Sequence, residues 1–369
     1  MTQLWLALAA GSLAAIVAIL LAERLRRRRD EAQAYLKGVR SIVQGDPDAA
    51  IEALSDAARL GTPEAVDTYL ALGALFRREG DLARAVRLHR NMLLGRGLDP
   101  ARRAEVEREL AEDYRRSGML AEAAELYARL AEGDGDRAAA EGLRDVRVEQ
   151  GDLAGAVALQ RRLGPGDGDP VLAHLLAAQA REALRGDPAQ AAALAREGLA
   201  AHPRSADAWM ALAEAEAAAG ATAAALDAAG RSLEEDPRAA LLAWPALAAV
   251  PDAAAAEAFA AARAAARPDD PALHLLHGRA LHRCARNPEA VAALRLALER
   301  DRVGEVSLAM RELLHQAAAP GPDDLAARHD LLVAALLRRG KAPRCERCGS
   351  DAPSRAWRCR RCGAFDAYP

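Results

Sequence analysis

Aromatic side chains are scarce in this chain. Three phenylalanines, five tyrosines and four tryptophans make up only 3% of its 369 residues. Sheets draw on aromatic and β-branched residues to fill their pleated faces, and no run alternating apolar with polar residues stands out. This is not the composition of a β protein. An excess of one charge is missing too: the formal net charge is −3, which gives no reason to expect nucleic acid as a partner. Catalytic signatures are absent as well. Eight histidines are scattered without an H-E-x-x-H pair, no glycine loop is suited to cradling phosphate, and no nucleophile stands beside a base. The chain reads as a protein that is not an enzyme. What it has in abundance is alanine, leucine and arginine, the makeup of helices that pack closely through small side chains. An all-α protein is expected, too long for one compact core and so built as several domains or an extended array.

Cysteine is nearly absent until the end. Of five cysteines, four fall in the last 25 residues as Cys345-x-x-Cys348 and Cys359-x-x-Cys362, with ten residues between the pairs. Each pair is followed directly by a glycine, Gly349 or Gly363. Two thiolates at that spacing can hold one metal from a tight turn, and the glycine supplies the positive φ that closes it. Two such knuckles facing each other make a tetrahedral tetrathiolate site; a pair of disulfides is the other use of four cysteines. A closed shell of four sulfurs leaves no position for water or substrate, which points to one structural zinc. Iron in the same cage would be rubredoxin-like and redox-active, and the spacing does not separate the two metals. Besides the metal, only Trp357, Phe365 and Tyr368 offer the tail any bulk, so metal binding should supply most of its folding energy. Arg347, Arg358, Arg360 and Arg361 give it a basic patch, expected to meet an acidic repeat surface, anionic lipid headgroups or solvent.

The amino terminus carries the opposite feature, a stretch without charge. Thr2 to Ala22 holds no charged residue, and Glu23-Arg24-Leu25-Arg26-Arg27-Arg28-Arg29 follows at once. Twenty-one helical residues reach about 30 Å, the thickness of a bilayer core. Basic residues after the stretch are not the arrangement of a cleavable signal peptide, and they predict a single-pass helix with its amino terminus outside and the rest in the cytoplasm. Reduced cysteines fit that side. A buried helix of a soluble protein is the alternative.

Between the two ends a small motif returns: glycine, often aspartate, and an alanine five residues after the glycine. It occurs at Gly45-Asp46 with Ala50, Gly80-Asp81 with Ala85, Gly118 with Ala123, Gly151-Asp152 with Ala156, Gly186-Asp187 with Ala191, and Gly220 with Ala225. The steps are 35, 38, 33, 35 and 34 residues. Turn-like stretches at Pro251-Asp252, Asn287-Pro288 and Gly321-Pro322 keep the phase, giving about nine units. A period near 34 with a turn in mid-repeat is the tetratricopeptide pattern of stacked helical hairpins, whose faces form a right-handed superhelix with a concave groove for a protein client. Trp209 and Leu212 sit at first-helix anchor positions before Gly220, as Leu72 and Gly73 do before Gly80. Pro203 and Pro237 close repeats. Leu72 and Phe76 are expected to meet Leu82, Val86 and Leu93. His274, His277 and His282 lie near Cys284 on one predicted helix; they read as ordinary helical residues, with a metal site as the alternative, and Cys284 as a small buried residue. Gly164-Pro165-Gly166-Asp167-Gly168 reads as a linker.

This order of parts resembles the lipopolysaccharide assembly protein B family of Gram-negative bacteria. The likeness is carried by Leu72-Gly73-Ala74-Leu75-Phe76-Arg77-Arg78-Glu79-Gly80-Asp81 with Arg84 to His89, and by the tail from Pro343-Arg344-Cys345 to Cys362, with Trp357 two residues before the third cysteine. The resemblance implies a transmembrane anchor at residues 1–22, a basic juxtamembrane segment at 23–30, a tetratricopeptide array at 31–340 and a rubredoxin-type metal domain at 341–369. It implies metal ligation by Cys345, Cys348, Cys359 and Cys362, and a metal domain folded back onto the repeats. It further implies an inner-membrane adaptor that presents the deacetylase committing precursors to lipid A to the membrane protease FtsH. A general scaffold for envelope polysaccharide assembly, without a protease, and an iron-bearing electron carrier are the alternative functions.

Overall fold

The computed structural model describes residues 2–43, 66–95, 98–133, 136–164, 168–301, 343–352 and 356–368, together with residues 49, 52, 53 and 306. The repeat turn expected at Gly45-Asp46, the turn at Gly321-Pro322, the middle of the glycine-rich linker and the boundary at 340/341 lie outside the described residues. Among the described residues the regular structure is helical, with two isolated bridges in the tail, Arg344 with Asp351 and Arg358 with Phe365. The chain forms two compact units, Met1–Asp152 and Leu153–Pro369.

The first unit begins with α1 (Thr2–Val43) and continues with α2 (Val66–Glu79), α3 (Leu82–Leu94), α4 (Pro100–Arg116), α5 (Leu120–Gly133) and α6 (Arg137–Glu149). The charge-free stretch is the first half of α1, and the helix runs unbroken through the arginines to Val43. Among the described residues no helix is long and apolar enough to cross a membrane. The transmembrane anchor expected at residues 1–22 is therefore corrected. With it goes the expected single-pass placement in the inner membrane with a periplasmic amino terminus.

The glycine–aspartate motif has a mechanical reading. At Gly80, Gly118 and Gly220 the backbone is left-handed, with φ of 85°, 77° and 81°, and open space surrounds the place where a Cβ would stand. The conformation, rather than crowding, calls for glycine there. Where an aspartate follows the glycine it can cap the next helix: the Asp81 side chain accepts from the Arg84 N–H at 3.3 Å and, after Gly186, Asp187 accepts from those of Ala189 and Gln190 at 2.9 and 3.0 Å. Each such cap is worth about 1 kcal/mol. The alanine five residues on is where two helices touch. Ala85, Ala123, Ala156, Ala191 and Ala225 are all sealed from solvent. In α2 and α3 the core is Tyr69, Leu70, Leu88 and Met92, with Leu72, Phe76 and Leu93 packed half-buried around it and Ala34 of α1 against it.

The second unit comprises α7 (Leu153–Arg162), α8 (Pro170–Ala183), α9 (Pro188–Ala201), α10 (Ala206–Ala218), α11 (Thr222–Glu235), a 3-10 turn (Pro237–Leu241), α12 (Trp244–Ala249), α13 (Ala253–Ala266), α14 (Pro271–Arg283) and α15 (Asn287–Arg300). Here the core is mostly alanine, closed by Met210, Leu233, Leu247, Leu273 and Leu276. The first helix of the hairpin after α11 is broken in two. Pro245 lacks the N–H that a continuous helix needs at that depth, so a 3-10 turn and a short α12 replace it. The phase nevertheless holds. Ala256 and Ala290, five residues after Pro251 and Ala285, are buried like their counterparts, and Ala285 itself takes the left-handed φ of 61° that glycine takes elsewhere.

Candidate metal centre and its seat on the repeats

The tail is two copies of one eight-residue turn. In each, a cysteine N–H donates to the carbonyl five residues on, Cys345 to Ser350 at 2.9 Å and Cys359 to Ala364 at 2.8 Å. The glycine N–H donates back to the first cysteine's carbonyl, Gly349 to Cys345 at 2.8 Å and Gly363 to Cys359 at 2.9 Å. Both glycines are left-handed, with φ of 68° and 73°. The turns face each other and bring Cys345, Cys348, Cys359 and Cys362 together, their sulfurs all within 4.8 Å of one another. Cys345 and Cys362 approach to 3.5 Å and Cys348 and Cys359 to 3.8 Å. A tetrahedron with metal–sulfur bonds of about 2.3 Å has edges of about 3.8 Å, so the cluster has the dimensions of a tetrathiolate cage.

The electrostatics point the same way. Burial opposes the Cys359 thiolate, yet the Tyr368 hydroxyl, the Cys362 N–H, Ser350 and the Arg361 N–H bring its pKa down to about 5. Cys362 is pushed up to about 12, by burial and then by the neighbouring sulfurs of Cys345, Cys348 and Cys359. Four thiolates this close repel one another until a cation sits among them, which is the electrostatic demand a bound divalent metal meets. Cys345, Cys359 and Cys362 are buried with Ala364, Ala367 and Tyr368 in a small core.

Two of the three bulky tail residues do not serve that core. Trp357 packs against the alanine core of the second unit. Phe365 stacks on His174 of α8, with ring centroids 4.8 Å apart and planes 6° from parallel. Beside it the Asp366 carboxylate accepts from His174 Nε2 at 2.7 Å, while His174 Nδ1 donates to Asp207 of α10 at 2.6 Å. Arg181 of α8 pairs with Asp207 at 2.7 Å and with Glu214 at 3.0 Å. Burial works against a charged His174, but Asp207 and then Asp366 overcome it and raise its pKa to about 9. Burial likewise opposes the Asp207 carboxylate, and Arg181 and His174 hold it below its ordinary value. The tail is thus seated on first helices of the repeats through an acidic residue. Of the basic patch, Arg358 donates to Gly363 O at 3.1 Å and lies over Phe365, bracing its own knuckle.

The other sequence candidates disperse. His274 donates to the Pro268 carbonyl at 2.7 Å, His277 faces Glu257 at 3.0 Å, and His282 faces Asn287 at 2.8 Å. Cys284 is half-buried, its thiol directed to Ala253 O at 3.4 Å. Among the described residues the four tail cysteines are the group that can hold a metal. The His174 cluster has no mark in the sequence, because His174 and Asp366 lie 192 residues apart.

Comparison with known proteins finds a family match for two stretches of the repeats. Residues 35–96 and 175–240 match the tetratricopeptide repeat. The second match begins one residue after His174 and takes in Arg181, Asp207 and Glu214 on α8 and α10. The chain is also similar to lipopolysaccharide assembly protein B of Escherichia coli strains K12 and O157:H7, 28% identical over 109 residues, which is 28% of this chain and 28% of each relative. The chain thus spans under a third of the length of the curated relatives it matches. Among solved structures it is similar to a tetratricopeptide repeat protein from Parabacteroides merdae, at 18% identity over 69% of this chain and 99% of that one, with a TM-score of 0.42. The TPR2AB-domain:pHSP90 complex of yeast Sti1 matches at 14% identity over 83% of this chain and 98% of that one, with a TM-score of 0.26. The resemblance to a membrane-anchored assembly protein is corrected by these findings. It extends over 28% of the chain, and the anchor on which the FtsH adaptor role rests has no counterpart among the described residues.

Proposed function

We propose that the chain is a protein-interaction scaffold that carries a structural zinc in its tail and catalyses nothing. The observation that carries this reading is the closed four-sulfur cage seated on tetratricopeptide hairpins through Trp357, Phe365 and Asp366. Cys345, Cys348, Cys359 and Cys362 hold the metal in this reading, and a tetrathiolate shell leaves it no position for substrate. The arrangement at His174 has the outline of an acid–base triad but lacks its working parts. Both ring nitrogens face carboxylates, so neither is left to take a proton from a nucleophile. The first-helix faces of the hairpins within the second unit are the part suited to a protein partner.

Two measurements test the proposal. Elemental analysis of protein purified without added metal should give one zinc per chain, and Cys359→Ser should abolish it along with the ordered tail; a red protein with a reversible redox wave would instead make the tail an electron carrier. A photocrosslinking residue placed in cells at Glu182, on the first helix α8, should yield protein adducts that the same residue at Arg196 of the second helix α9 does not. Equal yields, or none at Glu182, would remove the scaffold reading.

A further inference from the structure

The receptor for the tail is complete without the tail. His174 is oriented by Asp207, Asp207 by Arg181, and Arg181 by Glu214, all of them on α8 and α10. These four side chains fix a buried ring with one N–H aimed outward and one aromatic face available for stacking. What the tail contributes is one ring, Phe365, and one carboxylate, Asp366, from consecutive residues. Asp366 takes a left-handed backbone with φ of 48°, a region aspartate enters more readily than most residues with a Cβ, and its N–H donates to the Trp357 carbonyl at 2.9 Å. Its side chain remains 56% exposed, so the junction lies at the surface rather than inside a shared core.

We infer that the α8–α10 face around His174 is a docking subsite for an aromatic residue followed by an aspartate, filled in cis by Phe365-Asp366 of the metal-bound tail and freed for a protein segment of that chemistry when the metal leaves. The chemistry selects both parts of the motif. An outward N–H on a cationic ring favours a carboxylate over an amide, and the flat face of that ring favours an aromatic side chain over an aliphatic one. Preorganisation by Asp207 and Arg181 means the subsite spends little ordering entropy on each occupant. Because the knuckles hold Phe365 and Asp366 in register, the metal sets how much of the subsite is free. The inference rests on the scaffold reading and specifies one partner chemistry for it.

The test uses the full chain and a fluorescein-labelled peptide with the sequence of residues 363–369 as the probe. Metal-loaded protein should bind the peptide at least tenfold more weakly than protein stripped by a chelator under a non-thiol reductant. In the stripped protein, His174→Gln should lower affinity at least tenfold, as should asparagine in place of the peptide's aspartate. Asp366→Asn in the full chain leaves the repeats and the cage intact; this loaded variant should bind the peptide as the stripped wild type does. Equal binding by loaded and stripped protein, insensitivity to His174→Gln, or a loaded Asp366→Asn chain that excludes the peptide would each overturn the inference. Photocrosslinking at Glu182 is independent of these outcomes. Adducts that persist there while the peptide fails to bind would sink the subsite and spare the scaffold.

Discussion

Each unit of the protein buries a histidine on an aspartate held by an arginine, and the two histidines end differently. In the first unit His89 of α3 meets Asp113 of α4 at 2.6 Å, and Arg77 of α2 joins Asp113 at 2.7 Å and Glu109 at 2.6 Å. In the second, His174, Asp207, Arg181 and Glu214 repeat that chemistry on α8 and α10. The difference is the other ring nitrogen. His89 Nε2 is buried without a hydrogen-bond partner, its ring pressed over Gly73 so closely that a Cβ there would collide with it. His174 Nε2 is directed out of the repeats to Asp366. The same polar network therefore serves in one place to lock a hairpin and in the other to hold a separate piece of chain. A buried imidazole becomes an interface when the position over it is left open.

The largest effects should come from removing the shared acceptor. Asp113→Ala and Asp207→Ala each strand a buried histidine and an arginine, which costs about 3–5 kcal/mol. Hydrogen exchange resolved by segment should show the first variant loosening α2 to α4 and sparing the tail, and the second loosening both α8–α10 and residues 343–368. An unchanged tail in Asp207→Ala would break the comparison.

Alkaline pH should then weaken the seat of the tail. Burial opposes a charged His174, but Asp207 on α10 and Asp366 on the tail outweigh it and lift the folded pKa to about 9, above the ordinary 6.5; the other charged groups nearby are Arg181 on α8 and Glu214 on α10, which pair with each other. A group raised in this way stabilises fully below its unfolded pKa and loses its contribution as pH rises through the folded one. The window runs from about 6.5 to about 9, and the most that can be lost is about 3 kcal/mol. The difference in denaturation midpoint between wild type and His174→Gln should shrink across that window. A difference that stays constant with pH would mean the ring is neutral in the seat.

Smaller effects sharpen the contrast. Gly73→Ala should destabilise by roughly 1–3 kcal/mol by forcing the His89 ring aside, without altering metal content or the seating of the tail. Ala285→Gly, which relieves a left-handed alanine in a degenerate repeat, should raise stability by roughly 0.5–1 kcal/mol in a urea melt.

The parts legible in the sequence are those written within one hairpin. Gly80, Asp81 and Ala85 announce a turn, a cap and a close contact because all three functions are local in sequence, and the knuckle cysteines are legible for the same reason. The broken helix at Pro237–Ala249 is harder to see: the repeat period marks Pro237 as the close of one repeat, while Pro245 eight residues on splits the next first helix without disturbing that period. The membrane reading of residues 1–22 rests on composition and flanking arginines, whereas in the structure those arginines belong to the same 42-residue helix as the apolar stretch. The two histidine networks are not legible at all. His89 to Asp113 spans 24 positions and His174 to Asp366 spans 192, and scattered histidines carry no spacing that marks such partners.

The alanine core of the second unit has a genetic consequence. A buried leucine can drift to a smaller residue and leave a void, but alanine has almost nothing to lose. One base change turns its codon into valine, threonine, proline, serine, glycine, aspartate or glutamate. At sites as tight as Ala195, Ala211 or Ala229, none of which exposes any surface, most of those replacements overfill the helix contact, bury a charge or break the helix. Only serine and glycine come near the available volume. This half of the protein is therefore fragile toward growth rather than erosion, and random mutation should spare fewer of its buried positions than those around Leu88 and Met92.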